Sequence, residues 1–312
     1  MTRRSWALFA AMCVIWGVPY LLIRVAVRDF SPGALVFART AIGGLVLLPF
    51  ALATGGFGPV LRRWRPLLAF TIIEIAIPWL LLSDAERVLS SSLSGLLVAA
   101  VPFVGVVVAR VVRSEDAGGG VWRYTGLGLG LVGVVLLLGL DVGHVRLGAV
   151  LEMLAVAVGY AVAPVIMSRR LADLPSFSVI AASLLLTAIG YLPYAALNWP
   201  SSVGAKEAWS VVGLGVVCTA LAFVVFFALI AAIGPSRATV FTYVNPAVAV
   251  LLGVLLLDEP FTAGIAFGFP LILVGSVLAA RHAQPSEPLA AEAAVPEAVI
   301  GETVACAEKA PS

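Results

Sequence analysis

The two halves of this sequence place the same prolines, acidic residues and glycines at matching points of long apolar stretches. Pro102 is followed 13 residues later by Glu115, and Pro246 is followed 13 residues later by Glu259, so both kinds of residue recur after 144 residues. Further matched pairs are Ser92 and Ser236, Trp16 and Tyr160, Gly126 and Gly268, and Gly133 and Gly275. The repeated order indicates that one structural unit occurs twice in the chain.

The apolar stretches between these residues are long enough to cross a lipid bilayer. Hydrophobic residues make up 62% of the chain and charged residues 12%, and the mean hydropathy is +1.10, which excludes an ordinary soluble domain. A membrane helix needs about 20 mostly apolar residues. Ten stretches qualify: 5–23, 33–54, 67–83, 93–112, 124–140, 147–168, 178–197, 209–231, 237–257 and 262–280. The sequence therefore predicts an all-α integral membrane protein with ten transmembrane helices, the first of them retained rather than cleaved as a signal peptide.

The basic residues predict the orientation of these helices. Lys and Arg collect on the cytoplasmic side of membrane proteins. With the N-terminus inside, twelve arginines lie in cytoplasmic connections and five basic residues lie on the other side, so both termini are predicted to be cytoplasmic, in the plasma (inner) membrane. Because five is an odd number, the two five-helix repeats, 5–140 and 147–281, must be inverted relative to each other, as is typical of secondary transporters. Residues 282–312, rich in Ala, Pro and Glu, are predicted to form a disordered cytoplasmic tail.

Three ionisable residues inside the predicted helices are candidate site residues, because a charge in the bilayer costs roughly 2.5–3.5 kcal/mol on insertion scales. Glu74 lies deep in the third helix, and we interpret it as the candidate proton carrier, since burial disfavours the ionised carboxylate and permits proton exchange near physiological pH. Arg39 and Glu152 lie at similar depths in the second and sixth helices, which favours a structural ion pair between them. The alternative is an ion pair of Arg39 with Glu74, in which the long arginine side chain would bridge a difference in depth of several ångströms.

Prolines, aromatic residues and an amide add candidates for a central cavity. A proline inside a membrane helix frees a backbone carbonyl, and Pro19, Pro102, Pro164 and Pro246 fall on the repeat-related helices one, four, six and nine. We predict that these helices bend around a cavity, with ordinary packing as the alternative for each single proline. The residues expected to line the substrate path are Trp16, Tyr20, Glu74, Trp79, Pro102, Tyr160, Tyr243, Asn245 and Pro246. Gly126 with Gly130, and Gly264 with Gly268, are spaced for close contact between helices and are interpreted as packing residues.

The remaining polar residues exclude several kinds of site. The three cysteines are scattered and the two histidines lie near helix ends, so neither a disulfide framework nor metal-ligand spacing is present. No glycine-rich nucleotide loop occurs, which excludes ATP as the direct energy source. We therefore expect no cofactor, no metal, no catalytic residue and no nucleic-acid partner. The expected partners are a small-molecule substrate, the lipid bilayer and protons.

Several motifs stand out along the chain: Trp16-Gly17-Val18-Pro19-Tyr20, then Arg39, then Pro102 with Glu115, and finally Tyr243-Val244-Asn245-Pro246 with Asp258-Glu259-Pro260. Taken together, these motifs resemble the EamA family of the drug/metabolite transporter superfamily. The resemblance covers about residues 6–281, although Arg113-Ser114-Glu115-Asp116 replaces the usual apolar-glycine-glutamate end of the first repeat. It implies the drug/metabolite transporter fold, ten helices in two inverted repeats, and transport of a small metabolite by alternating access.

These observations favour a secondary transporter over the other classes of membrane protein. We expect an exporter of a small, partly apolar metabolite, either an amino-acid-like compound or a toxic amphiphile, since no cluster of Arg or Lys is present to neutralise phosphates. A flippase for a lipid or lipid carrier on the same scaffold remains an alternative, as does a non-transporting partner acting through the tail. An integral-membrane enzyme is disfavoured, because no nucleophile–base pair or metal-ligand set is apparent.

Overall fold

The computed structural model describes residues 2–111, 121–139, 146–234 and 238–280, and the chain in these ranges consists of helices and their connections. We number the long helical segments α1 to α10 in chain order. They are α1 (Arg3–Ile15 and Pro19–Ala26), α2 (Pro32–Ala53), α3 (Trp64–Phe70, Thr71–Ala76 and Ile77–Ala85), α4 (Ser91–Val98 and Val101–Val111), α5 (Val121–Gly139), α6 (Leu147–Ile166 and Met167–Leu171), α7 (Ser176–Leu197), α8 (Ala205–Gly215, Val216–Leu221 and Ala222–Ile233), α9 (Thr239–Tyr243 and Asn245–Leu257) and α10 (Ala263–Ala280). A short helix, Gly58–Arg62, lies between α2 and α3.

Eight of these segments within the described ranges are long and apolar enough to cross a membrane. They are Arg3–Ala26, Pro32–Ala53, Trp64–Ala85, Ser91–Val108, Leu147–Leu171, Ser176–Leu197, Ala205–Ile233 and Val240–Leu257. In α5 and α10 the apolar helices are shorter, at Tyr124–Leu137 and Ala263–Leu278. Each of the ten predicted apolar stretches therefore contains a helix, and eight of these helices meet the length and hydropathy expected of a membrane span.

The contacts between helices follow the same pattern in the two halves of the chain. The segment α2 packs against α7, α4 against α9, and α5 against α10, so each of these helices meets the one five places later. The pairs α1–α8 and α3–α6 are also in contact. In the sequence repeat α1 corresponds to α6 and α3 corresponds to α8, so the pair α1–α8 is equivalent to the pair α6–α3.

Glycines make the joint between α5 and α10 close. A Cβ atom on Gly133 would lie 2.8 Å from the carbonyl oxygen of Gly268, and one on Gly275 would lie 2.6 Å from the carbonyl oxygen of Gly126. Because real Cβ atoms do not approach backbone this closely, only glycine permits the contact. The interpretation of Gly126 and Gly268 as packing residues is confirmed. The two contacts are equivalent under the sequence repeat. Gly126 matches Gly268 and Gly133 matches Gly275, so the contact of Gly133 with Gly268 corresponds to the contact of Gly275 with Gly126.

Three of the four repeat-related prolines follow breaks in their helices. The α-helix of α1 stops at Ile15 and restarts at Pro19, and that of α4 stops at Val98 and restarts one residue before Pro102. In α9 a 3₁₀ turn gives way to α-helix one residue before Pro246. In the first turn of a helix the missing N–H costs nothing, which explains these positions. The sixth helix differs from the expectation, because its α-helix runs through Pro164 to Ile166.

Candidate functional site

A buried arginine forms the centre of a polar cluster between α2, α3, α6 and α8. The side chain of Arg39 on α2 is only 7% exposed, and its guanidinium lies over the indole of Trp79 on α3, with 3.7 Å between Cζ and the ring centroid. Its Nε–H donates a hydrogen bond of 3.0 Å to the hydroxyl of Thr219 on α8. The Thr219 hydroxyl donates in turn to the carbonyl of Leu214 at 2.8 Å. The ring and the hydroxyl together fix the plane of the guanidinium.

Two π-helical turns place the polar groups of α3 and α8. Thr71–Ala76 of α3 carries Glu74, and Val216–Leu221 of α8 carries Cys218 and Thr219. A π turn holds one residue more than an α turn, so it redirects the side chains beside it and often occurs at functional sites. Glu74 and Cys218 are separated by 144 residues, the spacing of the sequence repeat. Both halves of the chain thus deviate from regular α-helix at the same point.

The predicted ion pair of Arg39 with Glu152 is wrong, and the alternative pair with Glu74 is not formed either. The ion pairs among the described residues are Arg63 with Asp173 and Arg87 with Asp84, all at exposed positions. Similar depth was not sufficient for pairing, because side chains at one depth also need to face each other around their helix axes. Arg39 faces Trp79 and Thr219. Glu152 is half-buried, and Asp84 is its electrostatic neighbour.

Glu74 lies at the edge of this cluster. Its carboxyl group is half-buried, and the Oε2 atom is buried without a hydrogen-bond partner in the described part of the chain. Tyr160 on α6 is within electrostatic range of this carboxyl group. An ionised carboxylate that is buried without a partner is costly, so this position favours either a protonated carboxyl or a donor that arrives from outside the protein.

Two tyrosines lie in the neighbourhood of the guanidinium. Tyr20 on α1 is buried and Tyr160 is half-buried. Both tyrosine hydroxyls lie within electrostatic range of Arg39, and the indole of Trp79 interacts with the hydroxyl of Tyr160. The structure therefore brings together five of the predicted residues in one cluster: Tyr20, Arg39, Glu74, Trp79 and Tyr160.

Other predicted residues form a second group at the breaks of α1 and α9. Trp16 packs against Phe223, Phe226 and Phe241, with ring centroids 5.9, 5.2 and 5.2 Å away. Asn245 is buried, and its amide nitrogen, oriented by its acceptors, donates to the carbonyls of Cys13 and Phe241 at 3.1 Å each. These contacts brace the two breaks against each other.

Besides Glu152, three predicted residues lie outside both groups. Pro102 is half-buried and Pro246 is buried at the helix restarts described above. Tyr243 lines a groove of about 310 Å³ together with Leu273, Val274, Val277 and Leu278. The polar cluster and this groove are lined by different residues.

Sequence reasoning assigned no site role to two carboxylates that lie where α3 and α9 end. Glu86 has no exposed surface, and neither carboxylate oxygen has a hydrogen-bond partner among the described residues, while its backbone carbonyl accepts from Arg24. Glu259 accepts hydrogen bonds from the backbone N–H groups of Ser91 and Ser92 and from the Ser92 hydroxyl. The run of serines before α4 was the available signal, since serine favours a helix N-terminus and a helix N-terminus attracts carboxylates.

The described residues contain no group of three His, Cys, Asp or Glu side chains that could hold a metal ion. The structure therefore offers buried aromatic, hydroxyl, guanidinium and carboxyl groups inside an apolar bundle.

An apolar bundle of membrane-length helices is the arrangement of a multi-pass membrane protein, and buried ionisable groups inside such a bundle are typical of substrate or ion pathways. A family model described as the EamA-like transporter family matches residues 4–139 and, a second time, residues 147–281. The chain belongs to the EamA-like transporter family. The resemblance seen in the sequence is thereby confirmed, and the protein is a membrane-embedded transporter with a small-molecule substrate.

Similar proteins from two bacteria are also named as transporters. The uncharacterised inner membrane transporter YedA of Escherichia coli K12 is 28% identical over 322 residues, covering 91% of this chain and 94% of YedA. The uncharacterised transporter YvbV of Bacillus subtilis 168 is 25% identical over 283 residues, covering 88% and 91%. A solved crystal structure superposes with a TM-score of 0.64 at 23% identity, covering 89% of this chain and 97% of that chain, which shows a common fold.

Proposed function

We propose that this protein is a secondary transporter that exports a small, partly apolar metabolite by alternating access. In this proposal all ten helical segments cross the membrane, as two inverted five-helix repeats at 5–140 and 147–281. The exchange-symmetric helix pairs and the swapped glycine contacts of α5 and α10 support it, because inverted repeats bring corresponding surfaces together across a pseudo-two-fold axis.

The polar cluster around Arg39 is the observation that carries this function. Burying a charged group among apolar helices is costly, so such groups in membrane proteins mark substrate or ion pathways. The cluster draws on α1, α2, α3, α6 and α8 and thus on both halves of the chain. A site shared by two repeats can open to either side when the repeats move against each other.

Glu74 is the proposed proton carrier. Its buried Oε2 has no partner in the described residues, and Tyr160 joins it electrostatically to the Arg39 cluster. A carboxyl group there can hold a proton in one state and release it in another, which couples proton entry to substrate exit.

The orientation, the non-enzymatic role and the tail also belong to the proposal. Both termini are placed in the cytoplasm of a plasma (inner) membrane protein, on the basis of the arginine distribution. The names of its relatives favour transport rather than catalysis. The predicted tail, residues 282–312, lies outside the described residues, as do Glu115 and Ser236 of the sequence repeat.

The proposed function is tested by comparing the metabolites of cells that produce the protein with those of cells that do not, in the medium, the cytoplasm and the lipid fraction. The expected result is a small, partly apolar metabolite enriched in the medium of producing cells. The same compound should accumulate in inverted membrane vesicles when a proton gradient is imposed. A change confined to the lipid fraction would favour the flippase alternative, and no difference in any fraction would refute transport.

A further inference from the structure

The guanidinium of Arg39 has donors that the protein leaves unused. Its Nε donates to Thr219, and neither terminal nitrogen forms a hydrogen bond or an ion pair within the described residues. Arg39 is also the only basic side chain among the buried described residues. A buried cation without a counter-ion is strongly unfavourable, so its retention points to a counter-ion that is supplied by a ligand.

The surroundings of the guanidinium leave one edge for such a ligand. Trp79 covers a face of the planar group at 3.7 Å, and Thr219 occupies the Nε edge. What remains is the edge formed by the two terminal nitrogens, whose paired N–H groups match the two oxygens of a carboxylate. The ring and the hydroxyl hold this edge in a fixed plane, so the ligand does not have to order it on binding.

The charged and titratable neighbours do not satisfy this edge. Cys218, Tyr160, Tyr20 and Glu86 are within electrostatic range of Arg39, but Glu86 forms neither an ion pair nor a hydrogen bond with it. The other neighbours, Tyr20, Tyr160 and Trp79, carry aromatic rings, and that of Trp79 lies over the guanidinium. A ligand that fits has one anionic carboxylate and an apolar or aromatic body, whereas a phosphate would require further cations.

We infer that Arg39 binds the carboxylate of the transported molecule, and that the substrates are small apolar carboxylates. This inference rests on the proposed transport function and assigns the chemical class of its substrate. Trp79 and Thr219 act as positioning residues that orient the guanidinium, and Tyr20 and Tyr160 contact the apolar body.

Matched probes test this assignment on the purified full chain in detergent. Phenylacetate and phenylacetamide have nearly the same shape, but only the first carries a carboxylate. Phenylacetate is expected to raise the unfolding temperature of the wild type with an apparent affinity at least tenfold greater than that of phenylacetamide. In R39Q the two probes should become equal, and R39K should retain part of the preference, because lysine keeps the charge but lacks the paired donors.

A second measurement needs no variant and so does not depend on how R39Q folds. Phenylglyoxal modifies arginine side chains, and peptide mass spectrometry reports the extent of modification at each position. Phenylacetate should protect Arg39 in the wild type at least tenfold better than phenylacetamide does, while the exposed Arg87 should be modified equally with both. Equal stabilisation by the two probes, or equal protection of Arg39, would overturn the assignment.

The outcomes also separate this assignment from the proposed function. A transported metabolite that lacks an acidic group would leave transport intact and refute the role of Arg39. Protection of Arg39 by phenylacetate in a protein that changes no metabolite would support the carboxylate site and refute transport.

Discussion

Glu259 accepts two hydrogen bonds from Ser92, one of 2.6 Å from the hydroxyl and one of 3.0 Å from the backbone N–H. The same carboxylate accepts a bond of 2.7 Å from the N–H of Ser91. These bonds join the end of α9 to the first turn of α4, where a negative charge is stabilised by the unpaired N–H groups of the helix. We call this arrangement of Glu259, Ser91 and Ser92 the serine–glutamate clasp. Asp258 turns the chain back toward the clasp by adopting a left-handed conformation with φ of 53°.

Removing the clasp should destabilise the protein. Glu259→Ala is expected to lower the free energy of unfolding by about 1.5–3 kcal/mol, because hydrogen bonds to a charged acceptor are lost. Ser92→Ala should cost less, since the backbone N–H groups still reach Glu259. Thermal unfolding in detergent measures both. The neighbouring Asp258→Gly serves as the control and should leave stability unchanged or slightly raised, because glycine adopts the left-handed conformation without strain. Equal stability of Glu259→Ala and the wild type would show that the clasp does not stabilise this state.

The clasp also requires Gly253. A Cβ at this position would lie 2.3 Å from the Glu259 carboxylate and 2.4 Å from the Ser92 hydroxyl. Gly253→Ala should therefore lower the unfolding temperature about as much as Glu259→Ala does, and the double variant should show little further loss, since both changes break the same contact. Gly190→Ala, where a Cβ meets open space, is the matched control and should be neutral or stabilising. Fully additive losses would argue against a shared cause.

The joint between α5 and α10 predicts a sharp difference between two glycines on one helix. Gly133→Ala should destabilise by about 1–3 kcal/mol, because the new methyl group would lie 2.8 Å from backbone atoms of Gly268 and Ile272. Gly128→Ala adds the same methyl group to α5 where nothing lies within 4 Å, and it should be neutral or stabilising. Denaturant titration of the two variants provides the measurement. Similar stabilities would mean that α5 and α10 are not in close contact.

Replacing Glu74 separates coupling from substrate movement. Glu74→Gln keeps the shape of the side chain and removes its titration, so it should abolish proton-driven accumulation in vesicles while leaving exchange of substrate across the membrane largely intact. Glu152→Gln is the control, because it also removes a half-buried carboxylate, but one that lies outside the Arg39 cluster. Normal accumulation against a gradient in Glu74→Gln would exclude Glu74 as the proton carrier.

Single-cysteine labelling tests the proposed orientation. In a background without the native cysteines, a cysteine in the connection 141–146 should react with a membrane-impermeant reagent added outside the cell. A cysteine in 169–173 should react only after the membrane is opened. The reverse pattern would overturn the orientation and the direction of export with it.

The helices and much of the site could be predicted from the sequence, because burial and helix length depend on composition and spacing. Arg39 and Glu74 were recognised from the cost of placing charge in apolar stretches. The partners of Arg39 could not be found in the same way, because depth along a helix says nothing of the direction in which a side chain points around it. Thr219 lies within the π turn of α8 and Trp79 follows the π turn of α3, and a π turn changes which side chains share a helix face, so regular helical spacing does not predict these contacts.

Glu86 illustrates a different limit. The third predicted apolar stretch ends at residue 83, so Glu86 falls outside every predicted helix. Its complete burial depends on how the neighbouring helices close over it, which is a property of the assembled bundle. Glu259, in contrast, was noticed as a member of the repeat, but only the structure shows that it meets Ser92.

The paired π turns of α3 and α8 give the bundle a stepwise way of changing shape. If such a turn relaxes to regular α-helix, one residue leaves it, and the helix on one side rotates by about 100° relative to the other side. In α3 this rotation would change the angle around the helix axis between the side chains of Glu74 and Trp79. In α8 it would move the Thr219 hydroxyl away from Arg39. Two helices that can each shift register by one residue would therefore exchange the groups facing the bound molecule in discrete steps.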